Sequence, residues 1–354
     1  MLYVEVLQMK QREFYYDNAK FLLIFLVVIG HFITTFIGNQ VIEQIYIFIY
    51  LFHMPAFILV SGYFAKGINK PGYLKKVAKK LLIPYLLFQL IYSIYYFALY
   101  DENELTIQIF KPQWSLWFLL SMFCWYVLLY FYKGFINRKL GMTVAILVGL
   151  IVGYVDIIGN YLSLSRTFVL FPVFLLGYYM KKEHFERLVS KQGKMLAAIV
   201  LLAMVLIIHF VLVDLPKEWM YGSKSYEKLG AGLEGGAIRL FYYGLSFIMV
   251  FSVLAFVPKK EYFFSKWGAR TLYVYLLHGF IIRYFRTTDL VPYIKETKSY
   301  YLLLIFAVIV TLFLVSKPVY IAAQPILELR MDGLKKVWYQ LNNKENKKEK
   351  GDSK

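Results

Sequence analysis

The sequence predicts an all-α fold: a polytopic integral membrane bundle of about ten transmembrane helices. Three observations predict it. Hydrophobic residues make up 60% of the chain, where a soluble domain has about 45–50%. They gather in separate runs that reach the roughly 18 residues a helix needs to cross a bilayer. The charges fall in the short stretches between the runs, and 29 of the 40 lysines and arginines fall on one side of the resulting map. The net charge of +18 therefore reads as topology and attraction to anionic lipid, not as a nucleic-acid surface.

In order, the spans are placed at 19–38, 43–65, 81–100, 116–134, 140–159, 166–180, 195–214, 238–257, 271–287 and 299–321. The first is too long for a signal peptide and lacks a small-residue cleavage site. Segment 104–115 is expected to lie along the outer interface. The basic clusters around Lys20, Lys75–Lys80, Arg138, Lys181–Lys194 and Lys259–Arg270 then share one side with both termini. Under the positive-inside rule that side is the cytosol, and the protein sits in the cell membrane. Residues 1–330 form one transmembrane domain. Residues 331–354, rich in Asn, Lys and Glu, are expected to be a disordered cytosolic tail. Cys124, the single cysteine, excludes a disulfide within the chain and a cysteine-based metal site.

The run from Asp17 to His31 carries the first chemical signal. Lys20 and His31 are eleven residues apart, about three helical turns and about 16 Å of rise. They share a face. Lys20 stands at the cytosolic interface while His31 lies past the midplane, where an ionisable group suggests function. The alternative is a histidine hydrogen-bonded to a neighbouring helix. Asp17 and Lys20 have ion-pair spacing on a helix and would at the least anchor it.

Other buried polar groups follow. His53 sits mid-span beside Pro55, which frees a backbone carbonyl. His53 either bonds that carbonyl or orients His31 or a substrate. His278, Tyr275 and Thr271 form a polar stripe in the ninth span, facing the bundle interior. Arg166, Arg239, Arg283 and Arg286 lie on the outer side, against the topological rule, and can grip a sugar, a phosphate or lipid headgroups. Trp117 either stacks on a sugar ring or belongs to an interfacial belt. There is no His-x-x-x-His or Cys-x-x-Cys spacing, no P-loop, no dinucleotide fingerprint, and Ser61 is not in a Gly-x-Ser-x-Gly elbow. No metal site is expected.

Lys20, ten residues, then His31 resembles the signature of the membrane acyltransferase 3 family. Further segments are also similar to that family: Phe52-His53-Met54-Pro55-Ala56-Phe57 with Ser61-Gly62-Tyr63, Leu81-Leu82-Ile83-Pro84-Tyr85, Leu116-Trp117-Phe118-Leu119-Leu120, and Leu272-Tyr273-Val274-Tyr275-Leu276-Leu277-His278. The fucose 4-O-acetylase-like branch shows the strongest resemblance.

The resemblance implies an O-acyltransferase that takes acetyl from cytosolic acetyl-CoA, as co-substrate and without a bound cofactor. The acceptor would be a carbohydrate or lipid-linked glycan hydroxyl at the outer face. His31 would be the base, since histidine suits proton transfer near neutral pH. Lys20, with Asp17 orienting it, would contact the donor. Lys75, Lys76, Lys79 and Lys80 would hold the donor's phosphates as point charges, or merely set topology. The family has an arginine-x-x-arginine pair in a similar place; lysines lose its bidentate contacts. His53, Ser61, Trp117, Arg166, Tyr275, His278 and Arg283 would line the tunnel or the acceptor side. The membrane's lipids are the remaining partner.

Two other classes compete with this reading. One is an exporter or flippase of a polysaccharide or lipid-linked sugar, which would also use buried histidines and outer arginines. The absence of an internal repeat weighs against it. The other is a non-catalytic component of an envelope assembly.

Overall fold

A computed structural model of the chain describes residues 13–101, 103–132, 137–159, 161–213, 216–328 and Lys335. The expected tail, 331–354, lies outside the described residues except for Lys335. Among the described residues thirteen α-helices follow one another with no strand. They are α1 Phe14–Ile33, α2 Gln40–Tyr63, α3 Tyr73–Leu99, α4 Trp117–Tyr132, α5 Arg138–Ile151, α6 Leu164–Tyr179, α7 Lys182–Leu188, α8 Lys191–Ile207, α9 Gly235–Ala255, α10 Thr271–Phe285, α11 Leu290–Thr297, α12 Tyr301–Leu314 and α13 Lys317–Glu328. Several starts are capped: the side chains of Asn39, Asn137 and Ser190 accept from backbone N–H groups one turn on, offsetting orphan donors.

The all-α membrane bundle is the observed fold. Seven helical segments are long and apolar enough to cross a membrane, and α12 with α13 make an eighth crossing if the bent pair is one span. The expected count of ten is therefore only approximate. Spans five and nine are α-helical over only 14 and 15 residues, in α5 and α10. At 1.5 Å per residue each reaches about 21–23 Å, short of a hydrocarbon core of about 30 Å. Tighter 3-10 turns lengthen both: Val152–Tyr154 after α5 and Ser265–Arg270 before α10.

The tenth span is not one helix. It breaks between Leu314 and Lys317 with a bend of 65°. Pro318, in the first turn of α13, has no N–H to offer the Leu314 carbonyl four residues back, so α12 cannot continue through it unbroken.

The long helix α2 is central, packed on α1, α6 and α9. Its contact with α6 is backbone on backbone. A Cβ added at Gly62 would lie 2.0 Å from the Phe174 carbonyl oxygen, and one at Gly177 would lie 2.0 Å from that of Leu59. Such reciprocal glycines let two membrane helices approach closely. At the other extreme, only 22% of the apolar window of Lys191–Leu212 is buried, against 67% for the segment containing α2. The exposed face of α8 carries Met195, Leu196, Ile199, Leu202 and Leu206, which suits contact with lipid.

The proline in α2 is compensated from a neighbouring helix. Pro55 has no N–H for the carbonyl of Leu51, four residues back. The hydroxyl of Ser246 on α9 donates to that carbonyl at 2.8 Å. Of the two alternatives for His53, a bond to the freed carbonyl is therefore not the one observed: its Nδ1 pairs with the Ile49 carbonyl at 2.9 Å.

Candidate functional site

Three cavities follow one another along the bundle. The first, the lysine-end chamber of about 240 Å³, lies between Ile24, Phe57, Ser61, Lys80 and Thr271. The second, the histidine chamber of about 300 Å³, is lined by His31, Thr34, Tyr50, His53, Trp117 and Arg286, among others. Val27, Met54 and Tyr275 line both and separate them. The third, the distal chamber of about 610 Å³, lies between Ser93, Tyr96, Thr106, Gln108 and Lys111. It shares Trp114 and Arg166 with the histidine chamber. Lys80 and Tyr96 are both on α3, sixteen residues or about 24 Å apart, so the chain of cavities spans much of a bilayer's thickness.

Helix α1 supplies the reason His31 faces this path. Ile24, Val27, His31 and Thr34 recur at three- and four-residue steps, a single helical face, and each lines a chamber. The end of α1 is fixed by Arg286, whose Nη2 donates to the His31 carbonyl at 2.9 Å and to the Thr34 hydroxyl at 2.7 Å. The imidazole of His31 lies against the indole of Trp114, with ring centroids 4.4 Å apart.

The three deep histidines differ in their bonding. His53 and His278 are buried, and the Nδ1 of each pairs with the carbonyl four residues back, Ile49 at 2.9 Å and Val274 at 2.8 Å. A carbonyl only accepts, so each Nδ1 carries the proton and the neutral ring keeps its lone pair on Nε2. Among the described residues no such bond ties the ring of His31, which opens on the chamber.

The other expected site residues divide. His53, Trp117, Arg166 and Tyr275 line the histidine chamber, and Ser61 and Lys80 line the lysine-end chamber. Thr271 joins them there, as the polar stripe required. Ser61 donates its hydroxyl to the Phe57 carbonyl at 2.8 Å. His278 stands behind His31, and Arg283 stacks over Tyr96 and Trp114, 5.1 Å from each ring. Lys75, Lys76 and Lys79 are exposed on α3 and line none of the three chambers. Asp17 and Lys20 pair at 2.8 Å and are likewise outside the three linings. Asp17 is held close to the Ser265–Arg270 turn, where a Cβ on Gly268 would lie 2.2 Å from its carbonyl oxygen.

Trp114, Tyr50, Thr34 and Tyr221 also line the histidine chamber and are absent from the sequence-derived site, while Arg286, one of the outer arginines, lines it too. Trp114 comes from segment 104–115, which packs back on α3. Gln89 there donates to the carbonyls of Gln108 and Lys111 at 2.8 and 3.0 Å and accepts from the N–H of Gln113 at 2.8 Å. Tyr221 reaches the chamber from the α8–α9 connection, docked on α2 by a hydroxyl–hydroxyl contact with Tyr46 and by the Lys217–Glu43 ion pair.

A comparison with known families decides what this arrangement belongs to. The acyltransferase domain model matches residues 13–318, nearly the whole chain. This chain belongs to the acyltransferase 3 family. One relative is the nodulation protein NolL of Sinorhizobium fredii (strain NBRC 101917 / NGR234), 39% identical over 83 residues. That match covers 21% of this chain and 23% of NolL, so the chain spans under a quarter of the relative's length. No solved structure matches. The family makes this a membrane acyltransferase, and the histidine chamber, with His31 at the predicted spacing from Lys20, is its candidate active site.

Proposed function

We propose that this acyltransferase moves an acetyl group from acetyl-CoA, supplied at the lysine end, to a carbohydrate hydroxyl supplied from the distal chamber. The observation that carries the reading is the succession of three cavities with His31 in the middle one. The donor's phosphates stay with the lysines at the cytosolic mouth, and its pantetheine arm threads past Ser61 and Tyr275. His31 takes the proton of the acceptor hydroxyl as the oxygen attacks the thioester carbonyl. The carbon–sulfur bond then breaks, and the departing thiolate takes up the proton. A base positioned in this way contributes about 10²–10⁴-fold.

The same cavities favour a second reading, an exporter or flippase with the histidines in its path. Thioester consumption by the purified protein separates the two. Release of free CoA thiol that depends on a saccharide acceptor and on His31 supports the transferase. No release with any acceptor supports the exporter. Mass spectrometry of envelope glycans with and without the protein then names the sugar, by loss of the acetyl increment.

A further inference from the structure

We propose that the acceptor is anionic: a carboxylate or phosphate on it docks against Arg166 and Lys111 while its hydroxyl reaches His31. The inference rests on the transferase reading and adds the chemical class of the acceptor.

The linings are one-signed. Arg166 faces both the histidine and the distal chambers, Arg286 the first and Lys111 the second, and among the described residues no aspartate or glutamate lines either. Arg283 adds a fourth positive charge behind Tyr96 and Trp114. Among the described residues the ion pairs join Lys20, Lys182, Lys217, Lys224 and Lys228 to carboxylates, and none involves these four cations.

What the arginines do contact is neutral. Arg166 lies over the Trp117 ring at 4.9 Å, and Arg286 lies over Trp114 at 5.9 Å. The Arg286 hydrogen bonds go to a carbonyl and a hydroxyl. The Nε atoms of Arg283 and Arg286 are buried with no hydrogen-bond partner among the described residues. Ring contacts recover only part of what a guanidinium loses on leaving water. Clustered cations with low-dielectric walls and no counter-charge focus a positive potential into the chamber, which concentrates anions. A neutral sugar would leave that charge unanswered. A carboxylate or phosphate would meet it with charge-assisted bonds, and an arginine fork suits either group.

The position matters as much as the sign. Arg166 lines the histidine chamber together with His31, so an anion on Arg166 and a hydroxyl at His31 belong to one ligand. The cationic patch is at the opposite end of the path from Lys80. It is therefore separate from the lysines assigned to the donor's phosphates.

The test uses the full-length protein in lipid nanodiscs with three matched trisaccharides: one neutral, one with a glucuronate residue and one with a sugar phosphate. Binding is titrated at low and high salt for the parent, Arg166→Gln and Arg166→Lys, each checked for folding by thermal melt. The expected result is that one or both charged probes bind at least about tenfold tighter than the neutral one at low salt. Salt and Arg166→Gln should remove most of that preference, and Arg166→Lys should keep part of it. The glucuronate and phosphate arms tell which group is recognised. Equal binding of the neutral probe, or equal weakening of all three probes by Arg166→Gln, overturns the inference. Acetyl-CoA consumption is followed in parallel. Turnover without anion preference overturns the inference and leaves the function standing. Anion binding without any acyl turnover overturns the function, and with it the acceptor role of this site.

Discussion

The ring of His278 lies 5.3 Å, centroid to centroid, from that of His31, and its Nε2 is buried with no hydrogen-bond partner among the described residues. Because its Nδ1 pairs with the Val274 carbonyl, the neutral ring offers a lone pair at Nε2. A rotation of His31 would let an N–H of that ring donate to it, leaving the other ring nitrogen bare towards the chamber. In that arrangement His278 would act as a positioning residue for His31, through its tautomer.

This relationship predicts an order among variants. His31→Gln should express normally and lose about 10²–10⁴-fold in kcat, because an amide cannot take the proton. His278→Gln keeps an acceptor oxygen and should retain more activity than His278→Leu, with the loss in kcat and the acetyl-CoA KM unchanged. A His31→Gln variant with more than about a tenth of parent turnover would make that histidine structural. Equal activity of the two His278 variants would remove its orienting role.

The lysines of α3 should not be equivalent. Lys80 lines the lysine-end chamber, while Lys75, Lys76 and Lys79 do not. Lys80→Gln should raise the KM for acetyl-CoA severalfold and weaken its salt dependence. The combined Lys75→Gln, Lys76→Gln, Lys79→Gln variant should change the same KM less, despite removing three charges. Initial rates against donor concentration at two salt levels decide it. The larger effect in the triple variant would place the phosphates outside the chamber mouth.

Stability should hinge on the α2–α6 contact. Gly62→Ala or Gly177→Ala puts a methyl 2.0 Å from a backbone carbonyl oxygen, and backbone cannot yield as a side chain does. Overpacking costs about 1–3 kcal/mol, and more where nothing can move. Gly244 on α9 has nothing within 4 Å of an added Cβ, so Gly244→Ala should be neutral or slightly stabilising. Thermal melts of the purified variants test the contrast, and a parent-like melt for Gly62→Ala would refute the close approach.

The sequence made the helical bundle and the face of α1 legible for physical reasons. Crossing a bilayer requires long apolar helices, and a helix repeats its face every three to four residues, so Lys20 and His31 could be placed before any packing was known. Trp114 could not be placed that way. It reaches His31 because Gln89 pins the 108–113 backbone, a pairing about 20 residues distant that no periodicity marks. Tyr221 likewise arrives from a connection between helices. The role of Ser246 was hidden because Pro55 announces a free carbonyl but not who answers it. The lysine run was readable as charge, yet only the packing of α3 shows that Lys80 alone of the four turns to the chamber.

The sidedness of the bundle is the last prediction, and α8 gives it a sharp form. Between Lys182 and Lys224 the helical segment long and apolar enough to cross is Lys191–Leu212, and its mostly exposed apolar surface has lipid as its natural neighbour. One crossing puts the two lysines on opposite sides. The basic cluster Lys181, Lys182, Arg187, Lys191 and Lys194 should hold its end in the cytosol. Reporter fusions after Lys182 and Lys224 should therefore give cytosolic and outside signals respectively. The assignment of acetyl-CoA to the lysine end depends on this, since that end must face the compartment that holds the donor. Two fusions reporting the same side would lay α8 along the surface. A reversed pair would put the distal chamber and its arginines in the cytosol, and the donor and acceptor ends of the path would exchange.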